Sequence, residues 1–190
     1  MHSILSEWGI DIPKDTWCFE YLQKYFPNKF YYIDKIPYIV TNIKKYDEID
    51  IYYQEIIRDK SLKKDFYKVE NQYVEVLKKL WIYNDTYAKI DISNFNSKIA
   101  KKQIDKSLRY CLKRLINGTL KEHFKISTLD ELKLIIQLAM HDVVYVEFLF
   151  KDFQIFLMST FSCFAIYFNN TSMINDIKKI INTEGLYLRK

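Results

Sequence analysis

The chain has 190 residues, 49% of them apolar and 28% charged, with a formal net charge of +5. That length suits one domain, and that apolar share supports a substantial core, which excludes a disordered chain. The three glycines (Gly9, Gly118, Gly185) and three prolines (Pro13, Pro27, Pro37) are isolated, which argues against nucleotide folds built on a glycine-rich phosphate loop. Three widely spaced cysteines, Cys18, Cys111 and Cys163, read as buried reduced thiols rather than a disulfide scaffold. Residues Met1 to Asp15 lack a basic start followed by an apolar run, so no secretory signal is expected. The most apolar stretch, Phe153 to Phe168, carries Gln154, Ser159, Thr160 and Ser162 and is shorter than the about 20 residues a membrane span needs. The expectation is a cytoplasmic protein without a membrane segment.

In chain order, residues 15–26 read as a helix closed by Pro27, with Trp17, Tyr21, Leu22, Tyr25 and Phe26 at helical spacing. Residues 30–43 suit extended chain, with Pro37 arguing for an edge or a turn. Residues 47–59 read as one helix with Ile49, Tyr52, Tyr53, Ile56 and Ile57 on a common face. Residues 61–83 form the clearest helix: Leu62, Phe66, Val69, Tyr73, Val76 and Leu80 line one stripe, facing a core rather than a coiled-coil partner. Residues 86–92 alternate as a strand, and 96–117 read as a single helix stopped at Asn117–Gly118.

The last third carries the sharpest pattern. Thr128 and Glu131 fit a capping box, opening a helix that runs to about His141. Val143–Phe150 reads as a strand, Lys151–Asp152 as a turn, and Phe153–Ser159 and Cys163–Phe168 as two more strands. A helix from Ser172 ends at Gly185, and Leu186–Arg189 returns as a strand. The expected fold is α+β: a mostly helical N-terminal part packed on a small antiparallel sheet, in C-terminal order helix, three strands, helix, strand, with helices on one face. A single domain of residues 1–190 is expected, with 1–122 helix-rich and 123–190 α+β.

The charge is concentrated. Residues 1–95 and 127–190 each carry a net charge of −1, whereas 96–126 hold nine basic and two acidic residues, a net +7. On one helix, Lys98, Lys102, Lys106, Arg109 and Lys113 would form a continuous basic ridge, with Ile104, Leu108, Cys111, Leu112 and Leu115 facing the core. Such a ridge suits nucleic-acid phosphates or an acidic protein surface, or simply a solvated face.

Catalytic patterns are weak. His141–Asp142 has the letters of a metal phosphohydrolase pair, but only His123 could supply a second histidine, and a histidine at a helix end is favoured by the dipole alone. Glu131-Leu132-Lys133 has the letters of a nuclease motif but starts a helix, and Asp91 is followed by no matching strand. A pairing of Cys111 with His123 would need an accessible, electropositive thiolate, whereas Cys111 lies on the apolar face. No catalytic, metal or cofactor site is expected. Sixteen tyrosines, with the pairs Tyr31–Tyr32 and Tyr52–Tyr53, fit either amphipathic packing or an interface rich in aromatic side chains.

Residues 124–190 carry a further pattern: Phe124-x-Ile126-x-x-Leu129-x-Glu131-Leu132, a helix end around Ala139, Asp142-Val143-Val144, an aromatic hairpin, Tyr167-Phe168, and Glu184-Gly185-Leu186-Tyr187-Leu188-Arg189. This resembles the C-terminal part of small bacterial proteins, some of them similar to immunity proteins of contact-dependent and other polymorphic toxin systems. The resemblance implies a cytoplasmic protein that blocks a cognate toxin domain by stoichiometric binding. Many such toxins are basic nucleases with acidic immunity proteins, and the basic ridge departs from that pattern. The alternative expectation is a nucleic-acid-binding protein that uses the helix 96–117.

Overall fold

The computed structural model describes residues 1–13, 16–38, 40, 42–91, 93, 95–118, 123–160 and 163–190. Three consecutive segments fix the architecture: β4 (Tyr145–Phe150), β5 (Ile155–Ser159) and β6 (Phe164–Phe168). Their side chains are buried almost without alternation. A strand buried at successive positions has apolar partners on both faces of its sheet. The hairpins of this trio are extended by strands from elsewhere in the chain. β2 (Thr86–Asp91) pairs with β4 and with the short β3 (Phe124–Lys125). β1 (Phe30–Asp34) lies between β6 and β7 (Tyr187–Arg189). The result is a seven-stranded antiparallel sheet in the order β3-β2-β4-β5-β6-β1-β7. The fold is α+β, and its sheet is mostly C-terminal, although β1 and β2 come from the first half of the chain.

Register assigns each residue to a face. Tyr87, Leu149, Phe156, Tyr167 and Phe30 lie opposite one another across five strands. They meet the N-terminal helices α1 (His2–Glu7) and α2 (Cys18–Tyr25) through Ile4, Leu5, Cys18 and Leu22. The adjacent row, Ala88, Phe148, Leu157, Ile166 and Tyr31, faces the other way. It packs in the main core with α5 (Lys63–Ile82), α8 (Leu129–Met140) and α9 (Ile174–Thr183). Helices therefore cover both faces, which corrects the expectation of helices on one face. The cause is the lack of apolar–polar alternation in β4 to β6.

The stripe predicted on α5 faces the core, with Phe66, Tyr73, Val76 and Leu80 all buried. The fully buried Tyr73 hydroxyl donates to the Ile33 carbonyl oxygen at 2.9 Å, fastening α5 to β1. The capping box of α8 forms as expected: the Glu131 N–H donates to Thr128 Oγ1 at 3.2 Å, and the Thr128 N–H donates to Glu131 Oε2 at 3.1 Å. Gly185 closes α9 with φ +79°, and the Leu186 N–H reaches back to the Ile181 carbonyl at 3.3 Å. That left-handed position is inexpensive only for glycine.

The helix expected over 47–59 is two short ones, α3 (Ile43–Ile49) and α4 (Tyr53–Arg58). Asp50 separates them in extended conformation (ψ 148°), its carboxylate accepting from the Ile51 N–H at 3.0 Å and meeting Lys35 Nζ at 2.5 Å. A short acidic side chain that holds its own backbone competes with helix continuation. Ile49 and Ile57 are consequently exposed rather than sharing a buried face with Tyr53 and Ile56. Residues 35–38 bend instead of extending, and α3 already begins at Ile43; Asp15, Ile39, Thr41 and Ile92, included in the sequence-based elements, lie outside the described residues.

Phe156 sits fully buried at the centre of the row that meets α1 and α2. Phe156→Ala is expected to lower the unfolding free energy by about 3–5 kcal/mol, measured by urea denaturation. A loss below about 1 kcal/mol would mean that α1 and α2 do not seal that face.

Candidate functional site

The basic segment forms two helices, which corrects the single helix expected over 96–117. Asn96 caps α6 (Ser97–Gln103), its side-chain oxygen accepting from the Lys98 and Ile99 N–H groups at 3.0 and 3.3 Å. The helix stops at Ile104, which is extended (ψ 162°), and Asp105 leads into a 3-10 turn over Lys106–Leu108 and then α7 (Arg109–Gly118). Ala100, Ile104, Leu108, Cys111, Leu112 and Leu115 are buried in the main core as the apolar spacing requires. Lys98, Lys102, Lys106, Arg109 and Lys113 are all exposed, and the break divides them between α6, the turn and α7. Among the described residues none of the five makes an ion pair, while the neighbouring Arg114 lies 3.6 Å from Glu131. Two apolar side chains share these outer surfaces: Ile99 is 48% exposed and Tyr110 is 73% exposed.

The break is held by α8. The Asp105 N–H donates to Gln137 Oε1 at 3.2 Å, and Gln137 Nε2 donates back to Asp105 Oδ2 at 3.0 Å. The same amide nitrogen donates to Glu70 Oε1 of α5 at 3.2 Å, so both amide protons and the carbonyl of Gln137 are engaged. The other Glu70 oxygen lies 2.5 Å from His141 Nε2, which places a proton between them. His141 is 1% exposed and stacks on Tyr53 with ring centroids 3.9 Å apart. Its partners are thus a carboxylate and an aromatic ring. Asp142 is turned away in left-handed backbone (φ 56°), and burial raises its carboxyl above the ordinary value. Asp142 lines a pocket of about 210 Å³ with Asp91, Ser93, Val143, Val144 and Tyr145. Among the described residues no three histidine, cysteine or acidic side chains converge as metal ligands. Glu131-Leu132-Lys133 lies in the first turn of α8, as its sequence context indicates.

Further ionisable groups are enclosed. Arg189 Nε and Nη2 donate to Asp34 Oδ2 at 2.9 and 2.6 Å, joined by the Tyr46 hydroxyl at 3.1 Å, which ties β7 to β1. All three cysteines are buried and free. Burial pushes the Cys18 and Cys163 thiols up to about 11 and also raises Cys111. Thiols so shifted stay protonated at neutral pH and are poor nucleophiles. His123 lies beside Tyr87, with ring centroids 6.4 Å apart. Glu147 is 3% exposed, and among the described residues neither carboxylate oxygen has a hydrogen-bond partner. Burial raises its carboxyl, opposed by the nearby charges of Lys89 and the N-terminus.

The tyrosine pairs divide as their spacing requires. Tyr31 packs edge-on against Phe168 at 5.6 Å, while Tyr32 carries the Arg189 guanidinium over its ring at 5.2 Å. Glu70 went unrecognised in the sequence, yet it stands on the α5 stripe between Phe66 and Tyr73, where a carboxylate needs a buried partner. The break in the basic segment also had a signal: Asp-Lys-Ser-Leu occurs at 59–62 and again at 105–108, and both copies make a 3-10 turn that launches a helix. No family model, no curated protein and no solved structure matches the chain. The molecule is thus defined by its α+β fold and by exposed basic side chains on α6, α7 and the turn between them. None of the described helices is long and apolar enough to cross a membrane.

The Glu147 carboxyl has a pH signature. Its raised value means that the folded state holds the proton more tightly than the unfolded chain. Its favourable contribution is complete at acid pH and is lost as pH rises through the folded value. Glu147→Gln is therefore expected to gain about 1–3 kcal/mol relative to wild type between pH 4 and pH 8, read from urea midpoints. Identical pH profiles would show that Glu147 is compensated in solution.

Proposed function

We propose that this protein acts by stoichiometric binding, as a cytoplasmic immunity protein that neutralises a cognate toxin domain. The observation that carries the reading is where the reactive and the adhesive groups lie. His141, Glu70, Glu147, Cys18 and Cys163 are enclosed, whereas Lys98, Lys102, Lys106, Arg109 and Lys113 reach solvent beside exposed Ile99 and Tyr110. Charged and aromatic groups arranged this way favour association with another macromolecule. The likeness of residues 124–190 to immunity proteins supports the same reading. The segment supplies β3, α8, β4, β5, β6, α9 and β7, which is five of the seven strands and two of the covering helices. Neutralisation would follow from occlusion of the toxin's active site or of another essential surface.

A second reading, nucleic-acid binding, is favoured by the same exposed cations, because each could neutralise a phosphate. It requires affinity that falls steeply with salt. Lys102→Glu, Lys106→Glu and Arg109→Glu combined should then abolish retention on heparin and on a DNA duplex.

The primary reading is tested with the purified product of the gene immediately upstream. The expected result is a 1:1 complex by light scattering, sub-micromolar affinity by calorimetry, and restored growth when both genes are expressed together. No complex at micromolar concentrations, or toxicity unrelieved by co-expression, would rule the reading out.

A further inference from the structure

We infer that the partner is an acidic protein surface, gripped by the outer faces of α6 and α7 with Ile99 and Tyr110 as apolar anchors inside a rim of cations. This rests on the binding reading above and adds to it the contact surface and the chemistry of the partner.

Each helix repeats one arrangement. On α6, Ala100 is buried, and Lys98, Ile99, Lys101 and Lys102 occupy the remaining, exposed arc. On α7, Cys111, Leu112 and Leu115 are buried, and Arg109, Tyr110, Lys113 and Arg114 are exposed. Residues three and four apart are neighbours on a helix surface. Ile99 therefore borders Lys102, and Tyr110 borders Lys113 and Arg114. A large apolar side chain ringed by charge is the pattern of an interface anchor: the centre desolvates and the rim steers.

Charge indicates the partner's sign. Residues 96–126 carry +7, against −1 for each of the flanking stretches 1–95 and 127–190. The excess therefore belongs to these helices, and the complementary surface is acidic. The exposed isoleucine separates a protein from a nucleic acid. Tyrosine can stack on a base, but phosphates and base edges give Ile99 little to bind, whereas an apolar depression rimmed by carboxylates accommodates it together with its lysines.

The junction between the two helices is tied to the rest of the fold. The α6–α7 break is pinned to α8 through the reciprocal Asp105–Gln137 hydrogen bonds, and Gln137 is in turn held by Glu70. A joint fixed before association reduces the ordering cost of binding.

The experiment uses the 190-residue chain, the purified upstream gene product and a DNA duplex of about 20 base pairs. Ile99→Ser and Tyr110→Ser are each expected to weaken the protein complex about tenfold or more. Lys102→Glu with Arg109→Glu should slow association and remove most of its salt dependence. Tyr38→Ser, at an exposed tyrosine outside the basic segment, serves as the control and should bind like wild type. All five positions are exposed, so unchanged circular dichroism and melting are expected. If wild type binds and every variant binds equally well, the surface assignment is overturned while the immunity reading stands. If wild type does not bind the gene product, both fall. If the duplex binds instead, lost on charge reversal but untouched by Ile99→Ser, the partner is nucleic acid and the acidic-protein assignment is overturned.

Discussion

The structure depends on the double-sided burial of β4, β5 and β6. Leu149, Phe156 and Tyr167 point to one face and Phe148, Leu157 and Ile166 to the other, and all six are fully buried. Such strands cannot leave a face to water, so two helical layers are obligatory. α5, α8 and α9 cover one side, and the N-terminal helices cover the other. The same constraint recruits β1 and β2 from the first half of the chain, since the edges of an apolar sheet need partners. Apolar burial thus consumes most of the molecule, and the charged helices at 97–118 remain as an outer layer with only their inner faces committed.

The polar interior performs a different task from the apolar one. Glu70, Gln137, Asp105 and His141 come from α5, α8 and the α6–α7 junction, and each contact is directional. Apolar packing fixes that these helices meet but tolerates sliding. A reciprocal amide–carboxylate pair fixes the register, because any slip leaves a buried donor or acceptor unpaired. Asp34 with Arg189 has the same role at the β1–β7 edge, where only three residue pairs make the ladder. Glu147 is a buried carboxylate that no hydrogen bond holds among the described residues. Its position opposite Lys89 across β2 and β4 gives it a nearby positive charge.

The α+β class, the C-terminal order and the α8 capping box were legible because they rest on local pattern: β-branched and aromatic runs, Thr128 with Glu131, and Gly185 after the apolar face of α9. What escaped was non-local. The insertion of β1 between β6 and β7 leaves no trace in the spacing of either partner. The covering role of α1 and α2 follows only from knowing that Phe156 and Tyr167 share a row. The basic helix was misread for a subtler reason. Apolar positions 104, 108, 111, 112 and 115 keep helical spacing across the break, because the 3-10 turn at 106–108 preserves the inward direction of Leu108 while Ile104 points inward from an extended residue. The five cations all lie on the exposed side of the segment.

That rearrangement alters what the surface can recognise. A straight ridge of cations repeats at the pitch of a helix and matches any smooth line of negative charge. The helical repeat is interrupted at Ile104–Asp105, which places Lys98 and Lys102 on α6 and Arg109 and Lys113 on α7. A flexible or uniform polyanion gains nothing from a fixed separation, because it conforms to either geometry at similar cost. A folded surface with its own fixed carboxylates gains fully, because preorganised charges on both sides avoid the ordering cost. The Asp105 carboxylate makes the same distinction. In the first Asp-Lys-Ser-Leu copy, Asp59 accepts from the Ser61 N–H at 2.8 Å and caps its own turn. In the second copy, Asp105 gives up that local role to hold Gln137 at 3.0 Å. A helix start that forgoes its own cap in favour of a tertiary tie favours precise placement of α7 over its intrinsic stability.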